Sequence, residues 1–100
     1  MKLNASECLP TDATQIPLGV SAPVAGTPMD FVNAKPIGQD INADFEPLKI
    51  GKGYDHCWVI DGAEPGQLQF CGELYAPESG RLLEIHTTQP GVQVYTGNWL

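Results

Sequence analysis

Asp55-His56 joins a carboxylate to a ring that titrates near neutral pH, two side-chain types suited to moving protons. Gly51-Lys52-Gly53-Tyr54 precedes the pair, and its glycines let the backbone adapt close to a ligand. Adjacent strand residues point to opposite faces, so both address one substrate only if the chain turns between them. The plainer reading bonds Asp55 to backbone amides and packs His56 on one face. Glu84 and His86 form a second pair on one face of a strand, where the carboxylate would raise the imidazole pKa. A solvated surface pair explains that spacing equally well.

Thr87 to Trp99 is the most informative polar tract. Its uncharged Thr, Gln and Asn side chains donate and accept at fixed separations, and Tyr95 and Trp99 offer apolar ring faces. A neutral polyol asks for that combination. Gln89 stands before Pro90 at a strand end, where a loop aims it into a pocket, whereas Gln93 reads as an in-strand face residue. Ser6, Ser21 and Ser79 have no G-x-S-x-G context, which argues against serine hydrolysis. Gly51-Lys52-Gly53 has neither phosphate-loop spacing. Cys8, Cys57 and Cys71 show no CxxC and no zinc-finger partner, so they read as reduced thiols packed as small hydrophobes.

Five Lys plus Arg against twelve Asp plus Glu give a net charge of −7 over 100 residues. That surface repels phosphate backbones and anionic lipid, which excludes a general nucleic-acid or membrane-surface partner. No apolar run long enough to span a bilayer is present, and Lys2 is followed by no apolar signal core. With the reduced cysteines, this points to a cytoplasmic location. An apolar fraction of 42% with 8% aromatics excludes a disordered chain.

Eleven Gly and nine Pro, spread without a period, punctuate the chain too often for a helical bundle. The fold class expected is all-β with antiparallel strands. Residues 1–50 read as loops and short strands, because their prolines lack the amide donors a central strand needs. Asp40 to Phe45 is the one expected helical piece, capped by Asp40 and stopped by Pro47. Residues 54–96 read as a four-stranded antiparallel meander, with Leu68, Phe70, Gly72 and Leu74 on one face and Cys71 on the other. Leu82, Leu83 and Ile85 put apolar groups on both faces of the third strand, yet the first half offers no regular layer to cover them. The expectation is therefore a piece of a larger β-structure, aggregation-prone alone and dependent on strand pairing with other segments or with itself.

Four tracts go further. Leu9 to Gly19 (LPTDATQIPLG), Gly26 to Phe31 (GTPMDF), Gly53-Tyr54-Asp55-His56 and Thr87 to Asn98 (TTQPGVQVYTGN) together resemble the aldose 1-epimerase, or galactose mutarotase, family. The resemblance covers almost the whole chain, with the tracts in the family's order. It implies a segment of a much longer β-sandwich, the galactose-mutarotase supersandwich, with a concave sugar-binding face. It also implies interconversion of the α and β anomers of galactose and glucose without metal or organic cofactor. In such a reaction a glutamate takes the anomeric hydroxyl proton and a histidine protonates the ring oxygen. The resemblance makes Asp55 and Gln89 substrate-binding residues and leaves His56 structural. Neither His86 nor Glu84 matches the family's acid or base, so no catalytic residue is expected here and the isolated chain should be weak or inactive. A non-catalytic carbohydrate-binding or structural β-fragment is the rival expectation.

Overall fold

The computed structural model describes residues 1–100. Seven strands form two sheets: β1 (Lys2–Leu3), β2 (Glu7–Cys8), β3 (Ala22–Pro23), β4 (Asp55–Val59), β5 (Gln69–Ala76), β6 (Arg81–Thr87) and β7 (Gly91–Tyr95). One sheet runs β1-β5-β6 and the other β3-β2-β4-β7, with every pairing antiparallel. The expected single meander over 54–96 is therefore split. β5 and β6 form a hairpin in one sheet, while β7 returns to pair with β4 in the other. β5 lies closer to β4 in sequence than β7 does, yet β4 pairs with β2 and β7, so the shortest loop closure does not decide this pairing.

β4 alternates half-buried and buried residues, so Asp55, Cys57 and Val59 face outward and His56 and Trp58 face the core. Trp58, Tyr54 and Phe31 are all fully buried. The Phe31 ring lies edge-on to Tyr54 at 5.4 Å and to Trp58 at 6.1 Å. Each such side chain stabilises the fold by about 1.5–3 kcal/mol through burial. Their polar tips tie the layers together: Trp58 Nε1 donates to the Met29 carbonyl at 2.9 Å and Tyr54 Oη to the Pro28 carbonyl at 2.8 Å. The irregular first half is thus the second layer, and Val24, Met29, Phe31 and Leu48 complete the core from it. The first half was expected to offer no regular layer; the layer it supplies is irregular and covers β4, while Leu82 and Leu83 of β6 stay exposed. Periodicity reveals regular layers only, and this layer has no period.

The helix also differs from expectation. Asp40 to Phe45 forms a turn and bends with no helix, preceded by a single 3₁₀ turn at Ile37–Gln39. The α-helix is α1 (Glu46–Gly51), with Pro47 in its first turn. Proline lacks an N–H that this position would leave unpaired anyway, so Pro47 starts the helix where it was expected to stop one. Lys52 ends α1 in the left-handed conformation at φ 59°.

A β-bulge corrects the reading of β5. Phe70 opposes His86 and Gly72 opposes Ile85, so Cys71 is an extra residue and the face alternation reverses across it. Phe70 consequently lies on the face opposite Gly72 and Leu74, and Cys71 is buried. Gly72 lets β1 approach: a Cβ there would stand 2.5 Å from the Lys2 carbonyl oxygen.

Candidate functional site

The outward face of the β4–β7 pair gathers polar side chains. Asp55 opposes Tyr95 and Cys57 opposes Gln93, so all four share that face. Gln93 Nε2 reaches diagonally across the pair and donates to Asp55 Oδ1 at 2.9 Å. The bond leaves the second oxygen of Asp55 as an open acceptor, and the Gln93 carbonyl and second N–H open as well. Tyr95 stands beside them, about two-fifths exposed, and its Oη accepts from the Trp99 amide at 3.0 Å. The Lys52 ammonium lies 4.4 Å from the Trp99 ring centroid. A charged acceptor, an amide and the Tyr95 ring thus share one face of the β4–β7 pair.

A cleft of about 500 Å³ opens between this face and the other sheet. Leu3, Leu74 and Ile85 line one wall, with Gln93, Tyr95 and Thr96 on the other. Its volume fits a monosaccharide, and its lining is apolar with few polar groups. Glu73 is the carboxylate on the lining, and no imidazole reaches it.

His56 lies on the far side of β4. It is buried against Trp58, with ring centroids 6.4 Å apart, and accepts from the Asp55 backbone N–H at Nδ1, 3.0 Å away. That bond puts the ring proton on Nε2, which is buried with no well-formed partner; Gln15 Nε2, beside Gly51, is likewise unpaired. Burial pushes the His56 pKa down, opposed by the Asp55 charge and the Pro47 carbonyl. The ring is therefore a neutral packing group, as its structural reading had it. His86 packs edge-on to Phe70 at 5.5 Å, in the other sheet. Burial also raises the thiols of Cys8 and Cys71, which sit in the interior as small hydrophobes. No group of three or more His, Cys, Asp or Glu side chains stands together. No helix is long and apolar enough to cross a membrane.

Of the two sequence-predicted contacts, the structure places Asp55 on this face and leaves Gln89 elsewhere. Gln89 sits in the bend between β6 and β7, exposed, with its amide bonded to Thr87 Oγ1 at 3.1 Å. It lies beyond Gly91, which opposes Val59, at the end of β7 away from Asp55. Gln93 is the glutamine that meets Asp55, and sequence reasoning passed over it. The available signal was strand register: pairing D-H-C-W-V with G-V-Q-V-Y antiparallel puts Gln93 opposite Cys57, one diagonal from Asp55.

A buried aromatic strand with a polar outer face, set in two antiparallel sheets, defines an all-β fold. The aldose 1-epimerase family model matches residues 1–100, and the chain belongs to that family. It is 41% identical over 98 residues to human galactose mutarotase, covering 98% of this chain and 27% of that one. Rat galactose mutarotase is 43% identical over 96 residues, 96% of this chain and 26% of the relative. Aldose 1-epimerase of Escherichia coli is 34% identical over 100 residues, all of this chain and 28% of the relative. The crystal structure of galactose 1-epimerase from Lactobacillus acidophilus superposes with a TM-score of 0.72 at 30% identity, over 98% of this chain and 27% of that one. The fold is thus galactose-mutarotase-like, with antiparallel strands and an irregular first half. The chain spans about a quarter of the length of these relatives.

Proposed function

We propose that this chain is a sugar-contacting segment of an aldose 1-epimerase, with galactose or glucose as its monosaccharide partner and Asp55 and Gln93 as its contacts. The bond between Gln93 Nε2 and Asp55 Oδ1 carries the reading. It holds a carboxylate and a carboxamide in fixed relation, with Tyr95 beside them to cover the C–H face of a ring. Asp55 accepts from sugar hydroxyls, and Gln93 both donates and accepts. Gln93 takes the role that the sequence pattern gave to Gln89.

Interconversion of anomers belongs, in this reading, to the longer architecture of the relatives. Proton transfer needs a positioned acid and a positioned base. His56 faces the core and His86 packs on Phe70, so this chain brings no imidazole to the Asp55 face. The chain works in the cytoplasm, and other segments or a second copy cover its unpaired strands. Polarimetry started from pure α-galactose tests the proposal: the chain alone leaves the rate at that of buffer. A rate proportional to protein concentration would contradict the assignment of interconversion to the longer architecture, and a rate unchanged in Asp55→Asn would contradict Asp55 as a contact.

A further inference from the structure

The corner where β4 begins is held by a hydrogen-bonded clasp outside the contact pair. The Tyr54 backbone N–H donates to Thr96 Oγ1 at 3.0 Å, and Thr96 Oγ1 and N both lie at hydrogen-bond distance from the Tyr54 carbonyl, at 3.1 and 3.0 Å. Asn98 Nδ2 donates to the same carbonyl at 2.9 Å, and Asn98 Oδ1 lies 2.5 Å from Thr96 Oγ1. A single hydroxyl proton cannot serve both acceptors, so Thr96 Oγ1 donates to one of them at a time and accepts from Tyr54 N–H throughout. Gly53 makes room for this. Its φ of 142° suits glycine, and a Cβ there would overlap Asn98 Oδ1.

The clasp bears on Asp55 through one peptide unit. Tyr54 is buried and fixed at its ring by Pro28, and the clasp fixes both its backbone polar groups. With Tyr54 held at both ends, the Cα–Cβ direction of Asp55 is set relative to β7, where Gln93 waits two residues before Tyr95. Ladder bonds alone leave the first residue of a strand free to fray. We propose that Thr96 and Asn98 are positioning residues of the Asp55–Gln93 site: their side chains lock the Tyr54 backbone so that Asp55 meets Gln93 in one geometry. The inference rests on the reading of that pair as the sugar contact, but its test does not require sugar.

The Gln93 side-chain amide resonances of the labelled chain supply the readout, compared with and without the Asp55→Asn change that removes the charged acceptor. In the parent sequence they respond to Asp55→Asn because Nε2 donates to the Asp55 carboxylate. Thr96→Val and Asn98→Ala each lower the ratio of paired to unpaired Gln93 roughly fivefold, equivalent to about 1 kcal/mol. The response to Asp55→Asn shrinks accordingly, while the indole N–H signal of Trp58 stays in place. Thr96→Ser keeps the hydroxyl and restores the parent response. Three results would overturn the proposal: an unchanged Gln93 response in both Thr96→Val and Asn98→Ala, a Thr96→Ser response as small as that of Thr96→Val, or loss of the Trp58 signal together with the Gln93 response, which would make the cluster a general fold element. Failure of galactose to move any of these signals would count against the sugar reading alone.

Discussion

Asp55 and His56 are neighbours in sequence and opposites in environment, one on the wet face of β4 and one in the core. That division was legible from strand alternation alone, and so was the packing role of His56. The partner of Asp55 was not, because the loop position before Pro90 favoured Gln89 over the in-strand Gln93, and only strand register brings Gln93 to Asp55. Burial of His56 has a pH consequence. Its folded pKa lies below the ordinary 6.5, so the unfolded chain binds more protons once the pH falls under that value. The stability that depends on neutral His56 is complete above pH 6.5 and is lost progressively as the pH drops from there through the folded pKa. Urea midpoints should therefore fall between pH 7.5 and pH 5.5 in the parent and in His86→Gln, and the slope should flatten in His56→Gln. A midpoint that rises on acidification, or a slope unaffected in His56→Gln, would contradict this assignment.

The strands of the second half were readable from alternation and turn residues, and their partners were not. A hairpin announces itself by a short turn such as Glu78-Ser79-Gly80, whereas the β4–β7 pairing is long-range and leaves no local mark. The bulge at Cys71 was equally silent, since one inserted residue looks like ordinary alternation until the partner strand is known. α1 was misplaced for a different reason: proline both starts and stops helices, and Pro47 was assigned the commoner role. Gly72 offers the sharpest check on the element scale. A methyl group there meets the Lys2 carbonyl oxygen, a backbone atom that cannot swing aside, so β1 must move. Gly72→Ala should destabilise the chain by about 1–3 kcal/mol and speed hydrogen exchange at the Leu3 and Asn4 amides, which bond to Phe31 and Cys71. Unchanged exchange at both amides would show that β1 docks without needing the glycine.

A compact chain of this mass is expected to expose about 5,500 Å², and this one exposes 6234 Å². Part of the exposed surface is apolar: Leu74, Tyr75, Leu82 and Leu83 stand exposed on both faces of the β5–β6 hairpin, and β6 is a free edge. Such an edge invites pairing with other chains. The sequence showed this directly, since apolar residues on both faces of one strand demand cover, while the irregular core layer it did not show. Sedimentation of the isolated chain should reveal concentration-dependent association, reduced when Leu82 and Leu83 are both replaced by Lys. Association unchanged in that double variant would place the contact elsewhere. The β4–β7 face, through Asp55 and Gln93, is the sugar contact proposed for this chain. Two contacts on a wet face, each contributing about 0.5–1.5 kcal/mol, or up to roughly 3 kcal/mol for the charged acceptor, barely offset the freedom a sugar loses on binding. Titrating galactose into labelled chain should shift the Asp55 amide and the Gln93 side-chain amide, leave Gln89 in place, and fail to saturate below about 10 mM. Shifts centred on Gln89, or saturation below about 1 mM that survives Asp55→Asn, would contradict the assignment of the site.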